Sequence, residues 1–197
     1  MTWPWSEIFI ARHGQTEWNI AGRRQGRLDS PLTRQGVADA HRVASLAQPL
    51  RLDAIYTSPT GRAARTAAIV GEAVALAPVP VDGLAEIDIG AFSGMTDDEI
   101  ERRTPGELAA RAADKFHWRF PDGESYADAD RRAATVLAEL AELPTQRLLL
   151  VTHQMFGRAL ERNLLGLEPN DALELSIAHG TIVHLDPAAG TRTVLSV

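Results

Sequence analysis

Ile8-Phe-Ile-Ala-Arg-His-Gly-Gln-Thr-Glu-Trp-Asn19 is the stretch on which the reading of the whole chain turns. Its short apolar run gives way to charged and small residues. That is the pattern of a buried strand whose last residues emerge at the carboxyl edge of an open α/β sheet, where such sheets place their ligands. His13 then sits in a cleft, beside Arg12 and ahead of a turn at Gly14. A histidine in that position can attack an electrophile, bind a metal, or only hold a turn together.

Working outward, the chain alternates strands and helices. Thr33 caps a helix whose apolar positions Val37, Ala40, Val43, Ala44 and Ala47 recur at helical spacing up to Pro49. Residues 53–58 read as a second strand, and Pro59 opens a helix over about 60–75. Val79 to Val81, set between prolines, suits an edge strand. Residues 86–123 interrupt the alternation with Gly90, Gly94, Pro105, Gly106, Pro121 and Gly123 around short helical pieces at 97–103 and 107–115. This composition suits a lid, spanning about 90–123, over the sheet edge. The aromatic run from Phe116 to Phe120 can form the lid's own small core or touch a substrate.

Ser125 and Asp128 form a capping box for a helix with Tyr126, Ala129, Ala133, Val136, Leu137 and Leu140 on one stripe. Leu148 to Val151 is a central strand that ends in Thr152-His153, followed by a helix over 155–165 and a hairpin from 181–185 and 192–197. The expected architecture is a three-layer α/β/α sandwich around a mostly parallel sheet, with residues 1–197 forming one domain.

At 197 residues, with 45% hydrophobic and 23% charged residues, the composition is that of an ordinary globular protein. A net charge of −6 argues against nucleic-acid or membrane-surface partners. The absence of cysteine excludes disulfides and thiol catalysis. The first residues lack a signal-peptide pattern and no apolar run reaches membrane-spanning length, so the expected location is the cytoplasm. No His-x-x-x-His pair or carboxylate cluster suggests a metal, and no cofactor is expected. The oligomeric state stays open, a homodimer being one arrangement.

Three further residues stand out. His153, like His13, ends a strand, and in a parallel sheet both ends face one edge; the alternative is that each imidazole caps its own turn. Arg62 falls in the first turn of a helix, where free N–H groups and a guanidinium fork suit phosphate, or else it is a solvated surface charge. Glu86, near the start of the lid, can hold a proton in a closed cleft or simply be solvated.

The blocks Arg12-His-Gly-Gln-Thr-Glu-Trp-Asn19, Arg23, Gln25-Gly26, residues 29–33 and Gly36 resemble the opening of the histidine phosphatase superfamily, in its phosphoglycerate-mutase-like branch. Ser58 to Ala67, Glu86 to Gly94 and Gly123-Glu-Ser125 continue the resemblance. It implies a phosphatase acting on small phosphomonoesters without a metal. In that reading His13 takes up the phosphoryl group, Arg12, Arg62 and His153 hold its oxygens, and Glu86 protonates the leaving group. Gly14, Thr16, Asn19, Gln25, Gly26 and Gln154 are the candidate substrate-binding residues. A phosphoglycerate-type mutase is the alternative, and a non-catalytic phosphate-binding module is a further one. Hydrolysis is favoured because Glu86 is followed by Ile87, Asp88 and Ile89 where mutases carry a basic and aromatic motif. Three residues depart from the family pattern: Gln154 in place of Gly, Arg65 in place of Gln, and His179 in place of Asn.

Overall fold

The computed structural model describes residues 3–197. Six strands form one sheet: β1 (Glu7–Arg12), β2 (Ala54–Thr57), β3 (Val79–Pro80), β4 (Arg147–Thr152), β5 (Ile182–Asp186) and β6 (Thr191–Leu195), in the order β3-β2-β4-β1-β5-β6. The first four in that order run parallel, while β5 and β6 are antiparallel additions. β3 is an edge strand of two residues, as its flanking prolines require.

Alternation along β1 assigns the two faces. Phe9 and Ala11 pack with Ala40, Val43, Ala63 and Val70 from α2 (Arg34–Ala47) and α3 (Gly61–Val74). Ile8 and Ile10 pack with Leu137, Phe156 and Leu160 from α6 (Tyr126–Ala141) and α7 (Gln154–Leu165). A strand flanked by helices on both faces has no solvated side, which explains why β1 and β4 read as unbroken apolar runs. The α6 stripe is buried over the six positions expected, and Ser125 and Asp128 form the capping box.

Two short helices escaped the sequence reading. α1 (Glu17–Ile20) is closed by a reciprocal cap between Thr16 and Asn19, and α8 (Pro169–Glu174) carries its proline at the first helical positions. Between α3 and α6 lie α4 (Asp97–Arg103) and α5 (Glu107–Ala113), the latter ending two residues before the expected limit. This segment is anchored in the main core: Phe92, Ile100 and Phe120 are buried in the same cluster as Leu137 and Phe156, and Trp118 meets Phe120 edge-on at 5.0 Å between centroids. Among the described residues, no helix is long and apolar enough to cross a membrane.

One close approach fixes the turn after β1. A Cβ on Gly14 would lie 2.1 Å from the Gly36 carbonyl oxygen, and a Cβ on Gly36 would lie 1.9 Å from that of Gln15. The first turn of α2 therefore packs backbone to backbone against the turn that carries His13. Gly36→Ala should destabilise the protein by about 1–3 kcal/mol despite alanine's better helix propensity, because backbone atoms must separate. Urea unfolding would check this; an unchanged midpoint would mean that the contact yields freely.

Candidate active site

β1 and β4 are neighbours in register, with Arg12 opposite Thr152, and the His13 amide continues the ladder by donating to the Thr152 carbonyl at 3.0 Å. Two histidines far apart in sequence thus leave the sheet side by side, their ring centroids 5.2 Å apart and both side chains buried. A cavity of about 160 Å³ opens here, lined by Arg12, His13, Arg62 and Glu86 together with Asn19, Gln25, Gly26 and Gln154.

His13 Nδ1 lies 2.8 Å from the Gly14 carbonyl oxygen, which can only accept, so Nδ1 carries the proton. The neutral ring therefore presents a lone pair on Nε2. Burial first, and then the charges of Arg62 and Arg12, hold His13 well below the ordinary histidine range. His153 is held down in the same direction by burial and by Arg62. Its Nε2 shares a hydrogen bond with Ser58 Oγ at 2.8 Å, while its Nδ1 is buried without a protein partner.

Arg62 is clamped from several sides. Nη1 donates to the Leu28 carbonyl at 2.6 Å and to Asp29 Oδ1 at 3.0 Å, and Nη2 donates to the Gly26 carbonyl at 2.8 Å. The Arg62 amide at the start of α3 also donates to Asp29 Oδ1 at 3.2 Å. The loop at 26–29 is therefore folded around a guanidinium whose side chain is 1% exposed. Nε of Arg62 and Nε of Arg12 are both buried without protein partners. A site bearing unpartnered buried N–H donors on two cations suits an anion with several oxygens.

Glu86 sits at the start of α7. Its Oε1 accepts from the amides of Ile87 and Phe156, each at 2.9 Å, and its Oε2 accepts from Met155 at 3.2 Å. Arg132 of α6 fixes the backbone that carries it, donating to the carbonyls of Gly83 at 2.7 Å and Ala85 at 2.8 Å. The same guanidinium pairs with Glu124 at 2.9 Å and stacks on Phe156 at 4.1 Å from the ring centroid.

The remaining expected residues divide. Asn19, Gln25 and Gly26 line the cavity, but Gly14 and Thr16 lie behind it. The Gly14 amide donates to Thr66 Oγ1 at 3.1 Å, and Thr16 Oγ1 accepts from Gln25 Nε2 at 2.9 Å. Gln154 lines the cavity with its amide engaged at both ends, donating to the Leu175 carbonyl and accepting from the Ile177 amide. Arg65 is exposed on α3. His179 approaches His13 with ring centroids 5.6 Å apart, and its Nδ1 donates to the His13 carbonyl at 2.7 Å.

Arg23, Arg24, Ile89 and Met155 also line the cavity; Arg23 and Ile89 fall within the family blocks, but none of the four was expected at the site. Arg23 pairs with Glu99 at 2.7 Å and Arg24 with Asp97 at 2.6 Å, so α4 is tied to the cavity mouth. Arg132 carried no sequence signal, since a mid-helix arginine beside alanines reads as a solvated face. Among the described residues, no three His, Cys, Asp or Glu side chains are grouped as metal ligands would be.

The model of the histidine phosphatase superfamily (branch 1) matches residues 8–197. A Klebsiella pneumoniae protein named probable phosphoglycerate mutase GpmB is 33% identical over 181 residues, covering 91% of this chain and 84% of its own. A mycobacterial glucosyl-3-phosphoglycerate phosphatase superposes with a TM-score of 0.83 at 27% identity, covering 96% of this chain and 97% of its own. The α-ribazole phosphatase of Shigella flexneri shares the fold, with a TM-score of 0.86 at 23% identity over 97% of this chain and 95% of its own.

Because the fold keeps His13 and His153 neutral, the unfolded chain binds more protons below the ordinary histidine pKa of about 6.5. Stability should therefore fall as pH drops from 7 to 5, each of the two contributing up to about 2 kcal/mol over that interval. Urea midpoints across pH, with NMR titration of the histidine rings, test this. Folded-state titration of both rings near pH 6.5 would rule it out.

Proposed function

The chain belongs to the histidine phosphatase superfamily, branch 1, and from that premise we propose that it hydrolyses small phosphomonoesters through a phosphohistidine on His13. The observation that carries the reading is the His13 tautomer: donation from Nδ1 to the Gly14 carbonyl leaves Nε2 as a fixed nucleophile beside two buried guanidiniums. The entering anionic phosphate takes over the neutralisation of Arg12 and Arg62, so Glu86 takes up a proton as the substrate binds; Nε2 then attacks phosphorus as the ester P–O bond breaks, and Glu86 gives that proton to the departing alkoxide. Water then attacks phosphorus, Glu86 takes the water's proton, and the P–N bond breaks to release phosphate. Arg12, Arg62 and His153 hold the equatorial oxygens, whose charge needs donors already in place.

The guanidiniums of Arg12 and Arg62 take the charge-neutralising part that a metal plays elsewhere, so the reaction as written calls for none. Residues 90–123, tied to the cavity mouth through Arg23 and Arg24, act in this reading as a lid over the substrate's organic part, within one cytoplasmic domain. The name of the Klebsiella relative favours a second reading, transfer of the phosphoryl group to another phosphoglycerate in place of water. Ile87 and Ile89 weigh against it: Ile87 is buried in the core and Ile89 presents only an apolar side chain to the cavity, so neither offers a charge or a polar group to grip a phosphoglycerate.

Phosphate release from a panel of phosphomonoesters in EDTA is the test. His13→Ala should abolish release, Arg62→Lys should lower kcat by roughly 10²–10³-fold, and Glu86→Gln by roughly 10²–10⁴-fold on alkyl phosphates. On p-nitrophenyl phosphate, whose leaving group needs no proton, the Glu86→Gln loss should be far smaller. Release that survives His13→Ala would discard the phosphohistidine, and label passed to an added acceptor in place of water would favour the mutase.

A further inference from the structure

The histidines at the ends of β1 and β4 come to their tautomers by different means. His13 has a carbonyl against Nδ1, and a carbonyl can only accept, so the proton is fixed on that nitrogen. His153 has hydroxyls against Nε2, and a hydroxyl can donate or accept. The surroundings of those hydroxyls therefore decide which nitrogen of His153 carries the proton.

Ser58 follows β2 directly and is fully buried, and its amide extends the ladder by donating to the Val151 carbonyl of β4 at 2.9 Å. The serine is thus set beside the strand that ends in His153. Its Oγ accepts from the Thr60 amide at 3.3 Å and lies 2.8 Å from His153 Nε2 and 3.2 Å from Thr60 Oγ1. Thr60 Oγ1 is in turn 3.3 Å from the same Nε2. These three atoms close a triangle that holds one proton from each hydroxyl and, in one tautomer only, one from the ring. With Nε2 bare, Ser58 donates to it along the shortest edge and Thr60 donates to Ser58 Oγ, so both hydroxyl protons stay inside. With a proton on Nε2, the ring donates to Ser58, Ser58 donates to Thr60, and the Thr60 proton is turned outward.

The other ring nitrogen separates the two arrangements. With both hydroxyls on Nε2, Nδ1 is the nitrogen of His153 left to meet a ligand, and it is buried without a protein partner. A bare Nδ1 repels a phosphoryl oxygen, whereas Nδ1–H donates to it. We propose that Ser58 is a positioning residue: its hydroxyl donates to His153 Nε2 and so keeps the ring proton on Nδ1, where it binds an oxygen of the phosphoryl group. This rests on the phosphatase reading above and assigns the means by which His153 takes part in it. Both histidines then carry their proton on Nδ1 and use it oppositely. His13 offers its bare Nε2 to phosphorus, and His153 offers its N–H to oxygen.

The test reads the ring nitrogens of His153 by long-range proton–nitrogen NMR on histidine-labelled protein saturated with inorganic phosphate. Wild type should show a protonated Nδ1 and a bare Nε2. In Ser58→Ala the proton should move to Nε2 in a substantial share of molecules, and calorimetric affinity for phosphate should fall roughly tenfold, the contribution of one hydrogen bond. A serine that merely fills space would leave the tautomer where it was. Thr60→Val removes the more distant hydroxyl and should leave the proton on Nδ1; a shift there as large as in Ser58→Ala would overturn the assignment to Ser58. A wild-type proton on Nε2 or on both nitrogens, or a Ser58→Ala ring and affinity unchanged, would overturn the proposal, and the wild-type spectrum decides even where Ser58→Ala does not fold. Ester hydrolysis by a wild type with its proton on Nε2 would refute the role of Ser58 and keep the phosphatase. A protonated Nδ1 that Ser58→Ala displaces, with no ester hydrolysed by wild type, would do the reverse.

Discussion

Arg62 is a guanidinium taken almost wholly out of water, and much of the surrounding structure answers that fact. Burial alone weakens its hold on its proton, and the Asp29 hydrogen bond and the charge of Glu86 push back. Carbonyls of Gly26 and Leu28 complete its donors, so an irregular loop acquires one conformation. With Arg12 also nearly buried, the local potential is strongly positive, and the two histidines can be accommodated only as neutral rings. Neutral His13 keeps a lone pair on Nε2, so the field that suits a phosphate also leaves that nitrogen free for the proposed attack.

Glu86 balances part of that charge from the opposite wall. Its carboxylate accepts three backbone N–H groups, two of them at the first turn of α7, which ties its position to the helix that starts at His153. Arg132 then fixes the approach from the other side, bridging α6, the carbonyls at 83 and 85, and Glu124. Glu86 and His153 are thereby set by one helix end, and a displacement of α7 would move both.

The strands, the principal helices and the edge position of β3 were legible because their signals are local: unbroken apolar runs, helical stripes, caps and prolines. The convergence of His13 and His153 followed from parallel topology. What stayed hidden was set by tertiary contact. Arg132 looks like a surface arginine until the 83–86 backbone is laid against it. The fate of Gln154 depends on the chain at 175–177, and α1 is capped by an asparagine where a glutamate would have announced it. The segment at 90–123 composes like a loop region, yet three of its large side chains reach the main core, since spacing among glycines and prolines does not reveal what its aromatics touch.

The pairing of β1 with β4 has a consequence in time as well as in space. Residues 7–12 find their partners at 147–152 on one side and at 182–185 on the other, so the strand that leads to His13 leaves the ribosome well before either partner and is among the last to be enclosed. Contacts of such sequence separation carry the largest loop-closure cost and come late in folding. Until β4 arrives, Ile8 to Ala11 is an apolar strand with open edges, the kind of segment that recruits chaperones or neighbouring chains. A nascent chain halted before Arg147 carries its histidine on a strand that has nowhere to go.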